Sequence, residues 1–536
     1  MKASVLALVA IAAAARPAVA DGFADYGSQL AARKFASPRE QTDVTINGGL
    51  RVRGEALRNL DLDRGLTPSG QPLFPTPLGD PDGQTLAGAD TRLRTDLAIY
   101  PRGTGVDVKV RVDVLDNLGF GSTPEGNPAT TRAPTPAASP GQRPPLEALR
   151  VKRAYGEVLT PFGLLAAGRM GTQWGMGLVA NSGDCDDCDG GDSADRIAFV
   201  SPMAGHLWAI AYDFSASGPE TRRRDAVRVL DLDPSDDVRT VTFAVMRAFS
   251  PLTRLRLRQA GRTAFEYGAY VSHRWQQNDV PADYLPTASP MPLTGAQVMA
   301  RGYSATAVDL WLRLSMPHLR IEAESAYLGA SVDQPSLVPG VLLDGPVTSD
   351  QVGMALQSEY TSSGDVAGIG LDLGYASGDD APGFGAFPAP GAPAAQPGDL
   401  DGPQADLPRD RTVDNFRFHP DFRIDRILFH EIIGAVTDAV YLRPTARYRL
   451  LDVGHARLDA DAALIASWAA RPESTPSGQR ALGVEIDPGL HYVSNDGFRA
   501  ALEYALFLPG PAFDNPDAGL TARAAQSIRL RLGYYF

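Results

Sequence analysis

The only two cysteines of the 536-residue chain lie in one decapeptide, Gly183-Asp184-Cys185-Asp186-Asp187-Cys188-Asp189-Gly190-Gly191-Asp192. Three chemistries use such residues: a redox dithiol, a zinc site and a hard-cation loop. A redox CxxC normally opens a helix within a βαβ unit, and neither pattern surrounds this stretch. Structural zinc takes four N or S ligands, whereas two sulfurs stand here without a histidine. The expectation is a local Cys185–Cys188 disulfide at a loop tip, in preference to free thiols. Asp184, Asp186, Asp187, Asp189 and Asp192 are oxygen ligands of the kind Ca2+ takes. Their spacing only approximates an EF-hand and the distal Glu is missing, so a solvated acidic loop is preferred to a Ca2+ site. No other cofactor is expected.

The fate of the cysteines depends on compartment. Residues 1–20, MKASVLALVAIAAAARPAVA, pair a positive start with a short apolar run and an Ala-Val-Ala ending. That is the pattern of a secretory signal cut between Ala20 and Asp21, too short to span a bilayer as a helix. An exported chain meets oxidising conditions, which favours the disulfide. A net charge of −13 gives no reason to expect a nucleic-acid partner.

The elements that must hold this loop are strands. Val106 to Val114 alternates without exception, valine on one face and Asp107, Lys109, Arg111 and Asp113 on the other. The last residues, SIRLRLGYYF, place Ile528, Leu530, Leu532, Tyr534 and Phe536 on one face and Arg529 and Arg531 on the other. Period-2 segments of this kind occur eighteen times, from about 44–57 to 524–536. Short turns such as PRGTG, TPFG, SPMAGH and LDVGH alternate with long connections, as they do in transmembrane barrels. SPLTRLRLRQAGR is too long for its place among the short turns. The longer connections are acidic and the remainder mildly basic. The expected fold is all-β: one transmembrane antiparallel barrel of about 18 strands over 43–536, after a short periplasmic segment at 21–42.

A terminal Phe closing an alternating strand resembles the signature of bacterial outer-membrane barrels; that resemblance implies that Tyr534 and Phe536 are read by the barrel assembly machinery. The blocks HPDFRIDRILFHEIIGAVTDAVYLRP, AGRTAFEYGAYVSHR and GDCDDCDGGDSADR resemble a group of myxobacterial outer-membrane barrels of unassigned function. More distantly the chain is similar to alginate-export-type barrels of 18 strands. The resemblance implies an outer-membrane location in contact with lipid, and supplies no catalytic or binding residues.

Alternation nominates the inward, pore-lining residues. They are Arg92, Arg94 and Asp96, then Asp107, Lys109, Arg111 and Asp113. Further along come Arg313, Arg320, Glu322 and Glu324, then Arg443, Arg447 and Arg449. Arg457, Asp459, Asp461, Arg529 and Arg531 complete the set. Arginines facing carboxylates set up a transverse field that favours dipolar or anionic solutes; mutual pairing of the same charges is the plainer reading. Acids interleave with arginines nearly one for one, so a porin-like channel for small solutes fits better than polysaccharide export. A plugged barrel acting as a surface binding or structural protein is the third reading. The chain holds no Walker loop, HExxH or Rossmann fingerprint, and no enzyme activity is expected.

One segment resists the pattern. Within the longest connection, 378–435, residues 416–433 mix Phe416, Phe418, Phe422 and Ile424 with Arg423, Asp425 and Arg426. They are too apolar for an exposed loop. Two placements are open, an extracellular cap and an inward fold that narrows the pore; the need of the charges for partners favours the second.

Overall fold

A computed structural model describes residues 41–70, 72–77, 84–102, 105–120, 147–222, 229–280, 297–336, 338–384, 395–400 and 405–536. The signal, its cleavage point at Ala20–Asp21 and nearly all of the 21–42 segment lie outside them.

Eighteen strands form one sheet closed on itself. The first seven are β1 (Asp43–Arg58), β2 (Thr85–Tyr100), β3 (Val106–Gly119), β4 (Glu147–Thr160), β5 (Gly163–Gly171), β6 (Ser193–Met203) and β7 (His206–Ala216). A two-stranded hairpin, β8 (Glu220–Arg222) and β9 (Val229–Asp231), stands outside the ring. The wall resumes with β10 (Val238–Arg247), β11 (Ala264–Gln276), β12 (Tyr303–Ser315), β13 (Leu319–Val332), β14 (Val347–Thr361) and β15 (Ala367–Ala376). It ends with β16 (Ala439–Asp452), β17 (Ala456–Ala469), β18 (Ala481–Ser494), β19 (Phe498–Pro509) and β20 (Ala525–Tyr535). Every neighbour pair is antiparallel, and β1 pairs with both β2 and β20, which closes the barrel. Gly48 and Phe536 exchange both backbone hydrogen bonds at 3.0 Å, so the terminal residue lies in the seam.

The alternation seen in sequence is the alternation of faces. On β12, Val308, Leu310 and Leu312 are exposed on the outer surface while Ala305, Ala307, Asp309 and Trp311 are buried inside. On β20, Ile528, Leu530, Leu532 and Tyr534 point out, whereas Ser527 and Arg529 are buried. An apolar exterior over a polar interior is the inverse of a soluble protein and is the arrangement that hydrocarbon requires. No helix among the described residues is long and apolar enough to cross a membrane.

Long and short connections alternate around the ring as strand parity demands. The misfit SPLTRLRLRQAGR proves to be a helix, α1 (Pro251–Gln259), replacing a tight turn between β10 and β11. Ser250 caps it by accepting from the Thr253 amide at 3.2 Å, and Pro251 occupies the first turn, where no N–H is needed. The Ser-Pro start was readable as a helix signal. The largest buried apolar cluster is built around residues 416–436 and joins wall residues such as Tyr441 and Ile465 to residues of the long connections such as Leu62, Phe384 and Phe513.

Candidate functional site: a lumen crossed by two inward segments

Residues 172–192 leave the wall at β5 and cross the interior instead of projecting from it. At one side, Trp174 donates its indole N–H to Asp309 of β12 at 3.0 Å and packs on Tyr270 with ring centroids 5.4 Å apart. Glu324 of β13 accepts the Leu178 amide at 3.1 Å and the Met176 amide as well. At the other side the CDDC tip meets arginines of β1–β4, β19 and β20 and of the 416–433 segment. Asp189 lies 2.9 Å from Arg51, 2.8 Å from Arg53 and 3.3 Å from Arg92. Asp187 lies 2.9 Å from Arg423, 3.1 Å from Arg531 and 3.3 Å from Arg529. Asp184 joins Arg111 and Arg153, and Asp186 meets Arg499 at 2.6 Å. β12 stands nine strands from β1 in either direction round the eighteen-stranded ring, so this strap spans a diameter.

Backbone carbonyls of the strap complete the attachment: Arg92 donates to Cys188 at 2.7 Å, Arg94 to Gly183 at 2.8 Å and Arg153 to Ser182 at 2.7 Å. Cys185 and Cys188 are joined as a disulfide. Burial pushes the Asp187 carboxyl up, but Arg53, Arg423, Arg531 and Arg529 outweigh it and hold the group well below the usual carboxylate range. Burial acts likewise on Asp184, and Arg111 and Arg153 again overcome it.

Two expectations are corrected here. The cysteine loop is no outer tip, because its aspartates find stronger partners inside the ring than water outside. Nor is it the solvated acidic loop preferred to a Ca2+ site: Asp184, Asp187 and Asp189 are held against arginines, Asp186 meets Arg499, and Asp192 lies 3.4 Å from His419. Asp184, Asp187 and Asp189, each held by two to five guanidinium groups, have little left to offer a cation.

The second inward segment is the one that resisted the strand pattern. Phe416, Phe418, Phe422, Ile424, Ile427, Leu428, Phe429, Ile432 and Ile433 are all buried, packed with Tyr441, Ile465 and Phe507. Its charges face the wall. Glu485 of β18 accepts the amides of Arg426, Ile427 and Leu428 at 2.8–3.0 Å, and Glu431 meets Arg529 at 3.1 Å. Asp421 accepts three strap amides, from Asp189, Gly190 and Gly191, at 2.8–3.3 Å. Strap and segment therefore brace each other.

The nominated pore residues all face inward, but most are committed to partners. Arg94 and Asp113 form a two-pronged pair at 2.8 Å, Lys109 meets Glu157 at 3.1 Å, and Arg111 also grips Asp96. Asp107 is buried. Glu322 takes Arg313 at 3.6 Å and Arg320 at 2.9 Å, and Arg443 meets Asp372 at 2.6 Å. Arg447 pairs with Glu359, Arg449 and Arg457 with Asp459, and Asp461 with His491. Glu324 anchors the strap and Arg529 holds its tip, so neither lines open water. Arg320, Glu359, Arg447 and Asp461 keep about a third of their side chains exposed near the short-turn end. Arg51, Arg53, Arg153, Asp309 and Glu485 belong to the site and were not nominated; the Leu50-Arg51-Val52-Arg53 alternation carried the same signal as β3.

Between the strap and β2–β4 lies a narrow polar cleft lined by Arg94, Arg111, Lys152 and Arg153 with the backbone of Gly183, Gly190 and Gly191.

No protein-family model matches the chain. No curated protein matches it either. Among solved structures, OccK9 (OpdG) of Pseudomonas aeruginosa is 13% identical, with 92% of this chain and 98% of that chain covered and a TM-score of 0.46. OpdK of the same organism, solved with vanillate, is 11% identical over 92% and 98%, with a TM-score of 0.43. Acinetobacter baumannii OccAB3 is 13% identical over 92% and 99%, with a TM-score of 0.44. These are likenesses of overall shape.

Proposed function

We propose that this chain is an outer-membrane channel for small hydrophilic solutes, anionic or dipolar, with a lumen narrowed by the strap and residues 416–433. The carrying observation is the narrow cleft beside the strap, where four basic side chains face backbone groups of the strap, with Asp189 and Asp192 also in the lining. A solute carboxylate entering there exchanges water for guanidinium and ammonium groups already held in place by Asp96, Asp113, Asp116 and Asp184. Those acids keep the net field modest, which suits small anions and zwitterions over a polyanion. The apolar exterior supports a location in lipid, and the position of Phe536 in the closing seam fits a C-terminal strand that assembly machinery would recognise.

The test is single-channel recording of refolded protein in planar bilayers, with reversal potentials under a salt gradient. Discrete conductance steps with anion preference are expected. Folded barrels that never conduct would favour the plugged, surface-binding reading, which the burial of Asp187, Asp189 and Arg92 at mid-lumen also accommodates.

A further inference from the structure

The strap aspartates are spoken for, yet a different acidic group on the long-loop rim is not. Four aspartates fall within residues 231–237, Asp-Leu-Asp-Pro-Ser-Asp-Asp, where the outer hairpin β8–β9 returns to the wall at β10. Carboxylate oxygens of Asp231, Asp236 and Asp237 lie within 4.8 Å of one another. Asp236 is 2% exposed, and among the described residues neither of its carboxylate oxygens has a hydrogen-bond partner; the Gly218 amide is near but outside hydrogen-bond geometry. One oxygen of Asp237 is equally unsatisfied, while the other takes Arg239. An anion buried without a donor is costly, and three anions brought together are costlier still. Burial, followed by Asp233, Asp231 and Asp237, pushes the Asp236 carboxyl up to about 6.

The surrounding backbone is built to hold this arrangement. Asp231 accepts the Asp233 amide at 2.9 Å, and Asp233 accepts the Ser235 amide at 3.1 Å. From the end of β11, Gln276 donates to the Asp236 carbonyl at 2.9 Å, and Asn278 donates to Ser235 Oγ at 2.7 Å. Gly218 leaves the space the Asp236 carboxylate occupies, since any Cβ there would overlap it. The loop is thus pinned from both sides with its carboxylates held close together.

We propose that Asp231, Asp236 and Asp237 form a Ca2+ site on the long-loop rim, tying hairpin β8–β9 to the ends of β10 and β11. Hard carboxylate oxygens on a turn favour Ca2+, whose flexible coordination tolerates three protein ligands completed by water, over Mg2+, which demands near-octahedral geometry. Affinity should fall in the range of extracellular modules, roughly 10⁻⁴–10⁻³ M.

The probe is Tb3+, with the full chain refolded in detergent. Trp275 pairs with Arg239 in the β10–β11 ladder and is placed to sensitise emission. Expected is saturable luminescence at one ion per chain, displaced by Ca2+ at lower concentration than by Mg2+. Asp236→Asn and, separately, Asp231→Asn should weaken it at least tenfold, whereas Asp192→Asn should leave it unchanged. Heat-shifted gel mobility verifies that each variant is a closed barrel. Signal unaffected by both rim substitutions, absent saturation up to 10 mM (about ten times the weakest affinity expected), or stronger displacement by Mg2+ would overturn the assignment.

Discussion

Asp187 concentrates the energetics of the strap. Its carboxylate faces Arg51, Arg53, Arg423, Arg529 and Arg531, and removing its charge leaves those arginines crowded without their shared anion. Asp187→Asn should destabilise the folded barrel by about 3 kcal/mol, the order seen when one partner of a buried pair is lost, and raise unit conductance as the tip detaches; unfolding in urea and bilayer recording read the two effects. Acid should act more weakly than intuition suggests. A carboxyl whose folded pKa is depressed contributes stability in full above its unfolded value, near 3.9. That contribution is lost only as pH falls through the lower folded value, and Asp184 and Asp187 are both depressed. The arginine attachment of the tip should therefore hold from pH 7 to about pH 3, so the stability difference between wild type and Asp187→Asn in urea should stay constant over that range. The disulfide adds a smaller increment: a four-residue closure contributes about 2 kcal/mol on the chain-entropy account. Cys185→Ser with Cys188→Ser should therefore leave the gel shift intact while increasing open-channel noise.

Among the elements, what was legible divides by the range of the interactions that decide them. The valine and charge faces of β3 could be read because lipid outside and water inside impose a local period of two on every wall strand. Loop parity gave the rim from which residues 172–192 emerge, but not the direction in which they turn. That direction is set by partners remote in sequence: Arg53 and Asp187 are 134 residues apart, Arg423 and Asp187 are 236. For residues 416–433, composition excluded an exposed loop, since none would carry so many Phe and Ile side chains, and the need of its charges for partners favoured the inward placement over a cap. Its docking depends on a detail composition hides: Gly353 of β14 has no side chain, and Phe416 fills the space a Cβ would need. Gly353→Val should evict that ring at a cost of about 1–3 kcal/mol, as overpacking does, and lower the melting temperature without preventing barrel closure. Deleting 416–433 goes further and should raise single-channel conductance well above the full-length value; an unchanged value from a closed barrel would mean the segment does not limit flow.

Across the whole molecule, closure of the sheet leaves no free strand edge, so detergent must break the full ring before it unfolds the chain. Unboiled and boiled samples should therefore migrate differently on a detergent gel, and removing Phe536 should narrow that difference by loosening the seam with Gly48. The ring has a further mechanical property. A thin hoop under lateral pressure ordinarily yields by becoming oval, its bore narrowing along one axis while its perimeter hardly changes. Here the strap acts as a tie rod fixed at both ends of a diameter, through Asp309 and Glu324 on one bank and the arginine rows on the other. Flattening along any axis that lengthens that diameter must first pull guanidinium groups off carboxylates. The same rod divides the bore, with residues 416–433 packed against β16–β20 on one side, so in the proposed channel a solute would cross on the other side of the axis, off centre.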